Sequence, residues 1–230
     1  RDTLIKALAA APEGSADKAL FKSFTAAKRL SEAISEFART PGSDGGRFPL
    51  TGRGDVNTYA LFSELAAKLV SKSGRSGIIV PTGISTDSNN QWFFRWLLSE
   101  KRLISLYSFY EIRLIFTATD DRNSFCLLTL GQSKDDPEFA FSILDVGMIA
   151  DDNRKFSLSA SDIRSINPTT GTAAIFRSKA DAELTATLYR NAPPLSVDGA
   201  NGNPWGAFYL RLVDFGDHSE ELWTKERAIS

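Results

Sequence analysis

The stretch from Arg47 to Gly131 constrains the fold more than any other part of the chain. A Gly52-Arg53-Gly54-Asp55 turn opens an amphipathic segment in which Tyr59, Phe62, Leu65, Ala66 and Leu69 share one helical face, with Asp55 as the expected N-cap. Ser73-Gly74 closes it. The β-branched run from Ser76 to Val80, stopped by Pro81, then has the pattern of a strand buried on both faces of a parallel sheet. Gln91 to Glu100 reads as a helix, Leu103 to Phe109 and Ser124 to Leu130 as strands, and Phe139 to Val146 as a further strand. Alternating helices and strands in this order match the second half of an open, nucleotide-binding α/β sheet, and no glycine-rich loop of the cofactor-binding kind precedes them.

The flanks differ from this centre. Asp2 to Ala11 and Asp17 to Arg39 are rich in Ala, Leu, Lys and Glu, and Leu20, Phe21, Phe24, Ala27, Leu30, Ile34 and Phe37 recur at helical spacing in the second of them. Pro12-Glu13-Gly14-Ser15 separates these two helices, and Thr40-Pro41-Gly42-Ser43-Asp44-Gly45-Gly46 forms a turn-rich connector. Beyond Gly147 short apolar pieces alternate with Pro and Gly turns around a helix expected from Lys179 to Arg190. Three parts are therefore expected: a helical N-terminal segment (1–46), an α/β domain (47–150) and a mixed C-terminal extension (151–230).

Composition narrows the function classes. Across 230 residues, 27 basic and 28 acidic side chains nearly cancel, so nothing global draws the chain to nucleic acid or to an anionic membrane, and any DNA contact needs a local patch. The single cysteine, Cys126, lies in the apolar run Phe125-Cys126-Leu127-Leu128 and reads as a small core residue in a reducing, cytoplasmic setting. No apolar run reaches the roughly 20 residues that span a bilayer, so no membrane partner is expected. The one histidine, His218, sits among Asp214, Asp217, Glu220 and Glu221 without a second nitrogen or sulfur ligand, which is a poor metal site.

Four segments carry a resemblance. Arg47-Phe48-Pro49-Leu50-Thr51-Gly52-Arg53-Gly54-Asp55-Val56-Asn57-Thr58-Tyr59-Ala60-Leu61-Phe62 resembles the large adenine-specific DNA methyltransferases of restriction-modification and phage-defence systems. Gly77-Ile78-Ile79-Val80-Pro81-Thr82-Gly83-Ile84 resembles the strand and loop after that family's catalytic helix region, and Phe125-Cys126-Leu127-Leu128-Thr129-Leu130-Gly131 its last core strand. Phe176-Arg177-Ser178-Lys179-Ala180-Asp181, with Asn203-Pro204-Trp205-Gly206, resembles the region leading into target recognition. The resemblance implies the C-terminal half of a Rossmann-like sheet that uses S-adenosylmethionine, with N-terminal helices and a mixed extension. It also implies that Ser124 to Leu130 runs antiparallel to its two neighbouring strands, and that the sheet has an open edge.

The family's two signature motifs are missing. Neither the glycine-containing loop for S-adenosylmethionine nor the Asn/Asp-Pro-Pro-aromatic motif that holds the flipped adenine is present; Pro193-Pro194 is preceded by Ala192 and followed by Leu195. By the family's layout this chain starts shortly after the catalytic motif. The cofactor, DNA and the missing N-terminal half of the domain are then partners of the complete enzyme, and no cofactor or catalytic residue is expected in this chain alone.

Methylating a base in duplex DNA requires the base to be extruded and held against aromatic and apolar surfaces. Phe116, in Arg113-Leu114-Ile115-Phe116-Thr117-Ala118, stands where the resemblance places an aromatic beside the extruded base; a buried loop anchor is the competing reading. Arg53, Thr82, Ser85, Asn90 and Arg95 are the candidate DNA contacts, against the alternatives of turn, loop and helix-end polarity. Two other function classes stay open: a non-catalytic DNA-binding or assembly module of a defence complex, and an unrelated α/β enzyme acting on a small molecule.

Overall fold

The computed structural model describes residues 1–39, 46–111, 115–116, 124–197 and 202–207. The connector at 40–45 and His218 with its acidic neighbours lie outside the described residues. The chain divides into two compact units, Arg1–Ala192 and Pro193–Ser230. In the second, the Trp205 indole N–H donates to the Pro193 carbonyl at 2.9 Å.

The first unit opens with helices α1 (Asp2–Ala10) and α2 (Ala16–Arg39). Between them Gly14 takes a positive φ of 85°, and the Ser15 hydroxyl accepts from Lys18 N–H at 3.1 Å, which caps the longer helix. The apolar face anticipated on α2 does not meet a core: Leu20, Leu30, Ile34 and Phe37 are exposed, and Ala38 is the helix's one buried residue.

Helix α3 (Thr58–Leu69) forms where a helix was expected, yet its cap and its buried face both differ from expectation. Asn57, not Asp55, is the N-cap and accepts from Tyr59 N–H at 3.4 Å. Phe62 is 67% and Leu69 75% exposed, while Ala60, Ser63, Glu64 and Ala67 are buried. The reason is Glu64. Its Oε2 accepts from Thr51 N–H at 2.9 Å, the Thr51 hydroxyl at 2.7 Å and Leu50 N–H at 3.3 Å, and its Oε1 pairs with Lys68 Nζ at 2.7 Å. A buried carboxylate needs such partners, so the helix turns its glutamate toward the 47–54 segment and leaves Phe62 and Leu69 exposed, while Tyr59 and Ala66 of the expected face pack on the core. Small residues around it let the segments approach: a Cβ on Gly52 would lie 2.1 Å from the Ala38 carbonyl oxygen.

A five-stranded mixed sheet is the centre of this unit. It consists of β1 (Ser76–Pro81), β2 (Leu103–Tyr110), β3 (Ser124–Leu130), β4 (Glu138–Ile143) and β5 (Phe156–Ser157), in the spatial order β1-β3-β2-β4-β5. β3 lies between β1 and β2 and is antiparallel to both, the arrangement expected from the sequence. β4 pairs with β2 in parallel and β5 with β4 antiparallel. Among the described residues β1 is therefore an edge strand rather than one buried on both faces of a parallel sheet; its Ile79 is 57% exposed.

Register sorts the residues into two faces. Ile78, Leu128 and Leu106 lie in one row, and Val80, Cys126 and Ser108 in the next. This face packs on α3, the short α4 (Gly83–Thr86), α5 (Gln91–Ser99), α6 (Ala160–Ile166) and α7 (Lys179–Asn191), through Ile84, Phe93, Phe94, Leu97, Ile163 and Ala182 among others. The opposite face carries Ile79, Leu127 and Tyr107 in one row and Pro81, Phe125 and Phe109 in the next. Its smaller core is Phe109, Ala140 and Ile143. Ile143 reaches that face because Ser142, at φ 58°, makes an irregularity in β4 where its register against β2 shifts.

Helix α6 follows a complete capping box, in which Ser159 accepts from Asp162 N–H at 3.1 Å and Asp162 Oδ2 accepts from Ser159 N–H at 3.2 Å. Arg190 on α7 grips the same carboxylate at 2.7 and 2.9 Å, and these hydrogen bonds hold the Asp162 carboxyl below the usual carboxylate range. No helix among the described residues is long and apolar enough to cross a membrane.

Candidate functional site

The carboxyl ends of β1 and β2 and the amino end of β3 meet at one edge of the sheet, because β3 runs against both neighbours. Phe125 is flanked there by Pro81 of β1 and Phe109 of β2. Ligands of open α/β sheets bind outside this kind of edge. The Phe109 and Phe125 rings stack at 5.2 Å between centroids, and Phe116 meets Phe125 edge-on at 5.1 Å and 75°. Phe116 keeps 39% of its surface exposed.

A groove of about 440 Å³ opens at this place, lined by Ile79, Val80, Pro81, Glu111, Phe116, Ser124 and Phe125. Glu111, which sequence reasoning did not single out, is 2% exposed. Its Oε2 accepts from the Phe116 backbone N–H at 3.2 Å, fixing the start of the loop that carries the aromatic ring. Its Oε1 accepts no hydrogen bond among the described residues. The available signal was positional: Glu111 is an acid placed directly after the apolar strand β2, at the carboxyl edge of the sheet.

Behind the groove, Thr82, Ser85 and Asn90 come together as a buried brace. Thr82 N–H donates to the Ser124 carbonyl at 3.1 Å, and its hydroxyl shares a hydrogen bond of 2.8 Å with Ser108. The Ser85 hydroxyl donates to the Thr82 carbonyl at 3.1 Å, and Asn90 Nδ2 donates to the Gly83 carbonyl at 2.9 Å and to the Tyr59 hydroxyl at 3.0 Å. Burial raises the Tyr59 phenol above its ordinary pKa, so Tyr59 is neutral as it accepts from Asn90.

Arg53 and Arg95 flank the exposed Trp92 of α5, with guanidinium carbons 5.0 and 5.8 Å from the ring centroid. Both also donate to backbone. Arg53 Nε reaches the Pro49 carbonyl at 2.7 Å, and Arg95 bonds the Thr170 and Thr169 carbonyls at 2.5 and 2.7 Å.

Cys126 is fully buried, and burial pushes its thiol up to about 12, which keeps it protonated near neutral pH. Among the described residues no group of three or more His, Cys, Asp or Glu side chains could hold a metal ion. Space beside the glycines is unequal: nothing lies within 4 Å of a Cβ on Gly77. A Cβ on Gly54 would meet Asn89 Oδ1 at 3.2 Å, on Gly74 the Ser71 hydroxyl at 2.8 Å and on Gly83 Asp87 Oδ2 at 2.3 Å.

No protein-family model matches the sequence, and no curated protein matches it. Among solved structures, the crystal structure of the type I restriction-modification system methyltransferase subunit from Streptococcus thermophilus is similar at a TM-score of 0.33 and 15% identity, over 68% of this chain. The chain spans 30% of that subunit's length.

Proposed function

We propose that this chain is the C-terminal half of the catalytic domain of an S-adenosylmethionine-dependent, adenine-specific DNA methyltransferase of a restriction-modification or phage-defence system, with the start of its target-recognition region. The observation that carries the reading is the half-exposed Phe116 over the apolar groove at the carboxyl edge of the sheet, where an extruded base has an aromatic surface to lie against. The open edge of β1 and the exposed Ile79 beside it support a division of labour in which further strands of the same domain pair there. Residues 47–150 then supply sheet and base pocket, 151–230 lead into target recognition, and the methyl-donor site and catalytic motif belong to the missing N-terminal half. Arg53 and Arg95 with Trp92 form the DNA-facing surface, and Thr82, Ser85 and Asn90 hold the loop beneath it. The complete enzyme works in the cytoplasm.

The same Arg53, Trp92 and Arg95 cluster favours a second reading, a non-catalytic DNA-binding or assembly module, since guanidinium and indole groups hold a strand without any methyl transfer. Calorimetric titration separates the cases. S-adenosylmethionine is expected to give no saturable heat with this chain alone and micromolar binding with the complete enzyme. Micromolar binding to the chain alone overturns the proposed division, and none to either leaves the non-catalytic module.

A further inference from the structure

We infer that Glu111 is the acceptor that reads an N–H donor on the ring filling the groove, in this chain the exocyclic amine of an adenine; the inference rests on the base-pocket reading of Phe116. Buried polar atoms are nearly always paired, and an idle carboxylate oxygen in a protein interior requires an explanation. Glu111 has one oxygen committed to the Phe116 N–H and one, Oε1, with no partner among the described residues. The other described residues lining the groove are the apolar Ile79, Val80, Pro81, Phe116 and Phe125, with Ser124. Apolar walls with one or two placed polar groups, in a volume inside the range of about 300–1,000 Å³, are the pattern of a small-ligand site.

The occupant is set by these two demands together. It must be flat and apolar on its faces to lie beside Phe116 and Phe125, and it must bring hydrogen to Glu111. An amino-bearing heterocycle does both. Phosphate does neither, because a carboxylate repels it, so the groove admits the base of a nucleic acid and keeps its backbone out. Because the Phe116 N–H holds the other oxygen, Glu111 couples the position of the ring to the acceptor.

The test compares adenosine with purine riboside, which carries hydrogen in place of the amine, in nuclear magnetic resonance titrations of the full chain. Adenosine is expected to bind about tenfold more tightly or better, the worth of one hydrogen bond to a charged group. Glu111→Gln should bring the ratio close to one, since the amide has a single acceptor oxygen for two donors. Equal affinities for the wild-type chain overturn the inference, as does a preference that survives in Glu111→Gln. If binding of both nucleosides is lost in Phe116→Ala while the wild-type chain does not discriminate, the base pocket stands and only the role of Glu111 falls. If neither nucleoside binds the wild-type chain, both readings fall. The wild-type comparison needs no variant, so a Glu111→Gln chain that fails to fold does not shield the inference.

Discussion

Phe116→Ala in the complete enzyme is expected to slow methyl transfer, or to weaken binding of DNA with an extruded adenine, by roughly tenfold or more, while the melting temperature changes little. The magnitude follows from base and aromatic stacking, which is worth about 1–3 kcal/mol per base when the ring is removed. The small thermal effect follows from the ring's surroundings. Phe116 is half-exposed and makes an edge-on contact with Phe125, a kind of pair worth about 0.5–1.5 kcal/mol. Steady-state methylation and a thermal melt on the same preparation measure the two effects. A variant that melts early but methylates normally in its folded fraction makes Phe116 a packing residue.

The largest loss of stability is expected from Glu64→Ala. The substitution removes the acceptor for Thr51 N–H, the Thr51 hydroxyl and Leu50 N–H, and leaves Thr51, itself buried, with two orphaned donors. At about 1–3 kcal/mol for each buried unsatisfied group, less what water recovers by entering the space, the loss is about 3 kcal/mol. For a chain of this size that corresponds to a fall of roughly 6–12 °C in melting temperature. The half-exposed Lys68 partner adds little, since such ion pairs are screened. Urea denaturation monitored by tryptophan fluorescence gives the value. A change under about 1 kcal/mol would mean that the 47–54 segment is not held by Glu64.

Where the sequence was legible, one simple pattern decided the structure. β3 (Ser124–Leu130) was readable to the residue, because a short apolar run of strand length, Phe125-Cys126-Leu127-Leu128 with Leu130, stands between Ser124 and Gly131. Helices at 2–10, 16–39 and 179–191 were plain from composition and Pro or Gly breaks. The failures came where tertiary contacts overrode pattern. On α3 a buried glutamate displaced Phe62 and Leu69 from the core although Tyr59 and Ala66 of the same face pack there, and in β1 an antiparallel neighbour made an edge strand from a run that looked doubly buried. Helix α6 was missed although its Ser159-Ala160-Ser161-Asp162 box was visible, because its apolar positions are few. At the candidate site, Phe116 could be proposed from a resemblance, whereas Glu111 could not: an acid after a strand looks like ordinary loop polarity until its burial and its idle oxygen are seen.

Product analysis tests the central claim most directly. The complete enzyme is incubated with DNA and methyl-labelled S-adenosylmethionine, and the DNA is digested to nucleosides. The expected result is label in N6-methyldeoxyadenosine, with the amount reduced at least about tenfold by Phe116→Ala. DNA that stays unlabelled, or label found on cytosine, would contradict it.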